Sequence, residues 1–370
     1  MLLKIYSKYI LKKIFENIKN KKKLNIIKYN KKILKKLQIV NEDFKVYEII
    51  KELKEKYKFN IKDIDVKELV LRHRNLKSKE LCLLNRIEFK YLIELNLGFN
   101  HITDIKELEK ANYKELKKLY LHYNKILNIN SLTNVNFNKL NELYLYHNKI
   151  TDIKALENVN FKELKKLYLN NNIISDIKVL EHVNFKELKV LDLGRNQISD
   201  ITVFKNVNLK DLNELSLYNN KISDITVLEN AKLEKLEKLN LSSNLISNIN
   251  PLENANLKEL KQIYLNNNII SDINVFKNVK FEKLEKIYLM DNEISDINVL
   301  ENVIFKELKE LHLSFNQISD IKVLEKIKFD KLEKLYLIDN QIDNEDENNL
   351  LIIDNIESKN IDFELELVHN

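Results

Sequence analysis

The stretch Leu164-Lys165-Lys166-Leu167-Tyr168-Leu169-Asn170-Asn171-Asn172-Ile173-Ile174-Ser175-Asp176-Ile177 decides the fold. Its pattern, Leu-x-x-Leu-x-Leu-x-x-Asn-x-Ile with isoleucine allowed at the second leucine, starts again at Leu92, Leu116, Leu140, Leu188, Leu212, Leu236, Leu260, Leu284, Leu308 and Leu332. Eleven copies follow one another at an offset of 24 residues, with no insertion or deletion. A fixed period of this size means a solenoid, in which each unit packs only on its neighbours.

We number a repeat from its first leucine. Apolar residues then fall at positions 1, 4, 6, 11, 14, 17, 20 and 22, as in Leu164, Leu167, Leu169, Ile174, Ile177, Leu180, Val183 and Phe185. Positions 4 and 6 alternate with polar neighbours, the period of a short strand with one buried face. The later apolar residues are spaced too tightly for a full α-helix and predict turns or 3₁₀ segments on the outer side. One copy alone cannot bury this surface, whereas stacked copies bury it between them. At about 4.8 Å per strand, eleven rungs of parallel sheet span roughly 50 Å.

Position 9 is asparagine in all eleven copies, from Asn100 to Asn340. The turn after each strand leaves backbone groups without a ladder partner, and an inward amide can both donate to and accept from them. Ser-Asp or Thr-Asp at positions 12 and 13, as in Ser175-Asp176, Ser199-Asp200 and Ser271-Asp272, predicts the start of a helical turn with both side chains capping free N–H groups.

The motif resembles the leucine-rich repeat family over about residues 66–342. The Asn-x-Ile-Ser-Asp-Ile variant is similar to the short repeats of the regulatory subunit of type-1 protein phosphatase. The resemblance implies an α/β solenoid: a leucine-rich repeat arc with a concave parallel sheet, short turns or 3₁₀ segments outside, and a helical N-terminal cap. It also implies a non-catalytic role in binding a protein, as a scaffold or regulatory subunit. A regulator of a type-1 phosphatase is one such role.

Four regions follow. Residues 1–60 hold 18 lysines against 6 acids, a net of +12 in a chain of net +6. Helical spacing of Ile5, Tyr9, Ile10, Ile14, Phe15 and Ile18, then of Leu24, Ile27, Ile33, Leu34 and Leu37, predicts a basic helical cap. Residues 61–91 read as a degenerate rung, with Arg74 in the asparagine slot and Cys82 packed beside Leu81. Residues 92–342 are the eleven repeats. Residues 343–370 carry nine acids against one lysine and read as a C-terminal cap that ends in a strand at Ile361, Phe363, Leu365 and Leu367.

Within the first region, Ile10-Leu11-Lys12-Lys13-Ile14-Phe15-Glu16-Asn17-Ile18, a loop, and Tyr29 to Ile33 resemble an F-box. The resemblance implies that Ile10, Leu11, Ile14, Phe15, Ile18 and Tyr29 dock on the adaptor of a cullin ubiquitin ligase. The arc would then act as a substrate receptor. The Leu-Pro opening of that family is absent here, and Ile33 replaces its frequent tryptophan. A plain cap over the first rung accounts for the same helices, and the two readings stand side by side.

Composition excludes several classes. Two glycines, Gly98 and Gly194, cannot build a phosphate loop, and one cysteine rules out a disulfide framework or a multi-cysteine zinc site. A reducing compartment is expected, cytoplasm or nucleus. No apolar run reaches 18 residues, so no membrane span is expected. The lysine run at 19–23 lacks interleaved arginine or aromatic residues, so no specific nucleic-acid readout is expected. No cofactor, metal or catalytic constellation is expected, and the chain reads as a monomer.

Function is expected on the concave face, at positions 3, 5, 7 and 8. One aromatic cluster holds Phe99, Tyr120, His122, Tyr123, Tyr144, Tyr146, His147 and Tyr168. A second holds Tyr264, Tyr288, Met290, His312, Phe315 and Tyr336, with Arg195 and Tyr218 among the polar rungs between them. Exposed tyrosines suit a protein interface. A structural ladder of rings on adjacent strands explains the same residues.

Overall fold

The computed structural model describes residues 66–87, 89–343, 345–358 and 361–364, together with residue 55. Positions 3 to 5 of each repeat form a three-residue strand. The series runs β1 (Glu68–Val70), β2 (Glu94–Asn96), β3 (Lys118–Tyr120), β4 (Glu142–Tyr144), β5 (Lys166–Tyr168), β6 (Val190–Asp192) and β7 (Glu214–Ser216). It continues with β8 (Lys238–Asn240), β9 (Gln262–Tyr264), β10 (Lys286–Tyr288), β11 (Glu310–His312), β12 (Lys334–Tyr336) and β13 (Asp362–Glu364). Among the described residues these thirteen strands make one parallel sheet in chain order. Leu119 opposes Leu143 and Leu143 opposes Leu167, so each residue faces its own equivalent one repeat on. The unbroken 24-residue period sets this register, because a slip of one residue would turn every leucine outward.

Leucines and isoleucines at positions 1, 4, 6, 11 and 14 lie at or near zero exposure from rung to rung, and one continuous core runs the length of the sheet. Outside it, 3₁₀ helices such as Lys154–Asn158 and Lys178–Glu181 close each rung. The position-13 acid starts them: Asp152 Oδ1 accepts from the N–H of Lys154 at 2.8 Å, and Asp176 Oδ1 from that of Lys178 at 2.9 Å. The neighbouring serines make no such bond among the described residues. An Asx side chain reaches the N–H two residues on, and a serine one residue earlier does not.

The rungs fan apart outward. Adjacent position-22 rings on the outer side stand 6.0 Å apart for Tyr113 and Phe137 and 6.3 Å for Phe305 and Phe329. Adjacent position-5 rings on the sheet stand 4.4 Å apart for Tyr120 and Tyr144. The sheet is therefore the concave side of an arc.

The asparagines form a buried column that joins the rungs. Asn124 Nδ2 donates to the carbonyls of Leu97 and Leu121, both at 3.0 Å, while its Oδ1 accepts from the N–H of Ile102 at 3.0 Å. Each amide thus closes its own turn and that of the preceding rung. At the first rung Arg74 replaces the asparagine, and Asn100 Oδ1 accepts from the N–H groups of both Arg74 and Leu76.

At the ends one expectation is corrected and one element is added. Cys82 is exposed, because this 3₁₀ segment turns Leu81, Leu83 and Leu84 inward and leaves position 82 on its outer side. Ahead of the last strand, residues 347–358 form a helix, α1 (Glu347–Ser358), with Ile352, Ile353 and Ile356 buried. The sequence pattern had not pointed to a helix there. β13 then pairs with β12 along Leu335 and Phe363. The basic segment 1–60, including Ile10, Leu11, Ile14, Phe15, Ile18 and Tyr29, lies outside the described residues apart from Glu55.

Candidate functional site

Alternation on a strand sends positions 4 and 6 into the core and positions 3 and 5 onto the concave face. The first cluster assembles there as three columns of rings. On position 5, Tyr144 stacks on Tyr120 at 4.4 Å and on Tyr168 at 4.8 Å. On position 7, Tyr146 stacks on His122 at 4.6 Å. On position 8, Phe99, Tyr123 and His147 stack in order at 4.4 and 4.0 Å. Edge contacts such as Tyr123 to Tyr146 at 5.7 Å join the columns. His73 of the degenerate rung extends the third column, 4.4 Å from Phe99. Sequence reasoning missed it, although Arg74 in the asparagine slot already assigns His73 to position 8.

The second cluster is a single column. Tyr264, Tyr288, His312 and Tyr336 stack at 4.4, 4.3 and 4.4 Å. Phe315 stands outside it, with no ring contact among the described residues. Between the clusters Asp192, Ser216 and Asn240 interrupt the tyrosine column, while Arg195 lies over the Tyr218 ring at 5.9 Å. The rings are therefore both a ladder and a surface: their faces cover one another, and the half-exposed tyrosines turn hydroxyls such as those of Tyr144 and Tyr288 to neighbouring carboxylates.

Both glycines serve this face. Each sits at position 7 with an ordinary φ. A Cβ on Gly98 would lie 2.6 Å from the His122 ring, and one on Gly194 would lie 2.0 Å from the Tyr218 ring. Glycine there leaves the space into which the next rung's ring folds. His122 is in consequence only 7% exposed, deeper than the solvent-facing position the sequence suggested.

Position 8 carries backbone strain. Every residue there adopts the left-handed region, including Phe99 at φ 55°, Tyr123 at 51°, His147 at 53°, Arg195 at 50° and Phe315 at 55°. Asn171, Asn219 and Asn267 suit that conformation; a bulky side chain there costs about 1–2 kcal/mol. Yet Phe99, Tyr123 and Phe315 are 36%, 39% and 48% exposed.

Two glutamates organise the charge. Glu142 accepts from the Tyr144 hydroxyl at 2.6 Å and has Lys118 and Lys166 at 3.8 and 4.0 Å. Glu310 accepts from the Tyr288 hydroxyl at 3.0 Å, with Lys286 at 2.9 Å and Lys334 at 3.8 Å. Burial and the nearby Glu94 and Glu142 push the Tyr120 phenol up to about 12. Burial and the bond to Glu142 raise Tyr144 as well. Burial, then Arg72, His147 and His73, pushes His122 down to about 4. At neutral pH these phenols and the His122 imidazole are uncharged. Among the described residues no three His, Cys, Asp or Glu side chains converge to hold a metal ion. No helix among them is long and apolar enough to cross a membrane.

Comparison with known proteins agrees with the fold. The description "Leucine Rich repeats (2 copies)" matches residues 138–182, 186–230 and 234–278, and "Leucine Rich repeat" matches 90–105 and 307–321. An internalin (InlF) from Listeria monocytogenes is 31% identical, over 82% of this chain and 83% of that one, with a TM-score of 0.66. The chain belongs to the leucine-rich repeat family. Two other solved structures share the fold at lower identity. The APL1 domain is 21% identical over 75% of this chain and 69% of that one, with a TM-score of 0.58. The plant peptide hormone receptor RGFR1, in complex with RGF2, is 20% identical over 74% and 43%, with a TM-score of 0.56. No curated protein matches the sequence. A leucine-rich repeat fold points to a role in protein–protein interaction.

Proposed function

We propose that the chain is a non-catalytic scaffold or regulatory subunit that holds a protein partner on its concave face. One observation carries the reading. Phe99, Tyr123 and Phe315 are exposed rings at backbone positions that favour asparagine or glycine. Stacking within the fold offsets part of that strain for Phe99 and Tyr123 but not for Phe315, and a partner buried against the three rings would offset the rest. The stacked tyrosines add rigid contact area with hydroxyls at the rim. The reading takes the protein as a monomer in a reducing compartment, cytoplasm or nucleus, in keeping with its single cysteine.

Affinity capture from the source cells with the wild-type chain and a Phe99→Asn, Tyr123→Asn, Phe315→Asn variant tests it. The wild type should enrich a protein that the variant, equally folded, does not. Equal recovery by both would defeat the reading.

Two finer roles rest on sequence resemblance. The pattern from Ile10 to Tyr29 supports a substrate receptor of a cullin ubiquitin ligase, with residues 1–40 recruiting the adaptor. Adaptor recovery that is unchanged on deleting residues 1–40 would dismiss this role. The Asn-x-Ile-Ser-Asp-Ile repeat supports a regulator of a type-1 phosphatase, which should co-purify with phosphatase activity.

A further inference from the structure

The concave face carries one arrangement twice. On β3 to β5, position 3 reads Lys118, Glu142, Lys166 and position 5 reads Tyr120, Tyr144, Tyr168. On β10 to β12, seven repeats later, position 3 reads Lys286, Glu310, Lys334 and position 5 reads Tyr288, His312, Tyr336. In both, two ammonium groups share the central carboxylate and a tyrosine hydroxyl donates to it. In both, the three rings stack face to face. The flanks differ, with Glu94 and Val190 beside the first patch and Gln262 and Asp362 beside the second, and the hydroxyl that donates to the carboxylate comes from its own strand in the first (Tyr144) and from the preceding strand in the second (Tyr288).

Fold requirements do not explain the match. The intervening strands β6 to β8 place Asp192, Ser216 and Asn240 at position 5 and form the same sheet. The neighbouring columns have diverged: His122 and Tyr146 at position 7 of the first patch stand where the second has Met290 and Ser314, and Tyr123 and His147 at position 8 where it has Asp291 and Phe315. What recurs is confined to the two columns that face outward together from the strands.

We infer that the two patches are equivalent docking sites for a protein that presents one epitope twice in the same direction, as a tandem repeat does. This rests on the concave-face reading above and gives it a partner class. Seven strand spacings separate the patches, about 34 Å along the sheet. Alternating Lys and Glu around ring edges leaves each patch without a large net charge. The complementary epitope therefore has an apolar or aromatic centre flanked by side chains of both signs.

Peptides selected by display against the immobilised full-length chain supply the probe. A selected peptide, synthesised singly, should bind two per chain by calorimetry. Two copies joined by a Gly/Ser linker of about 40 residues, whose mean span is about 34 Å, should bind at least ~100-fold more tightly than one. That gain should vanish in Tyr120→Asn/Tyr144→Ser and equally in Tyr288→Asn/His312→Ser. These residue types already occupy position 5 at Asn240 and Ser216, and retained thermal stability confirms folding. One peptide per chain, or no gain from the tandem, overturns the inference and leaves the concave-face reading standing. Peptides whose binding survives loss of both patches and of Phe99, Tyr123 and Phe315 overturn both.

Discussion

Asn148 Oδ1 accepts from the backbone N–H of Ile126, on the preceding rung, at 3.0 Å. The same amide donates to the carbonyls of Leu121 and Leu145 at 3.0 and 2.9 Å. A side chain thereby serves the buried backbone of two rungs. Asn148→Ala leaves these groups unpaired in the buried turn and should cost about 2–5 kcal/mol. Asn148→Asp keeps the acceptor and should cost less near its own protonation point. Urea unfolding of both variants checks the order. A cost for alanine below about 1 kcal/mol would show that the column is not structural.

Leu215 is 1% exposed in the middle of the shared core. Leu215→Ala should cost about 2–5 kcal/mol. Because each rung contacts only its neighbours, the loss should be local. Hydrogen exchange should show loss of protection in β6 to β8 first, with β2 and β12 least affected.

Gly194 has the Tyr218 ring where a Cβ would stand. Gly194→Ala should force that ring outward and cost about 1–3 kcal/mol. Gly194→Ala combined with Tyr218→Ser should recover most of the loss, since Ser242 occupies the same position one rung on. Thermal melts of the single and double variants decide it. No recovery would place the cost in the backbone instead.

Phe315 is strained, exposed and without a ring partner among the described residues, so stability and binding should move in opposite directions. Phe315→Asn should raise stability by about 0.5–1 kcal/mol by relieving the left-handed backbone. It should weaken partner capture by at least about 1 kcal/mol. Loss of stability would show that Phe315 serves the fold.

His122 titrates near 4 in the folded chain, below its ordinary 6.5, because burial disfavours the imidazolium. The unfolded chain therefore binds the proton first. The stability that neutral His122 provides is complete above about pH 6.5 and is lost as pH falls from there toward 4. At pH 5 the loss should be about 1 kcal/mol after allowance for solvent screening. His122→Tyr, which copies the chain's own placement of Tyr218 over Gly194, should flatten the Tm-versus-pH curve over that range. A curve of unchanged slope would assign the acid sensitivity elsewhere.

Much of this molecule is legible one residue at a time. Leucine and isoleucine spacing is enough to place the strand and the outer turn. The asparagine column follows from the count of backbone groups that the turn leaves bare. The candidate face is legible as a set of positions, since alternation alone tells which side chains leave the core. Cys82 and α1 are not legible. Choosing which side of a 3₁₀ turn faces inward, or whether 347–358 closes the core as helix or loop, depends on what the neighbouring rung leaves uncovered.

The sequence by itself determined the repeat, its register and therefore the parallel sheet, because a constant period and a two-residue alternation are local properties of the chain. Only the tertiary structure decided what the tyrosines do for one another and what they leave for a partner. Tyr144 on Tyr168, Tyr288 on Glu310 and Gly98 under His122 each join residues 22 or more apart in sequence. Such contacts exist only once adjacent rungs meet, so no reading along a single repeat contains them.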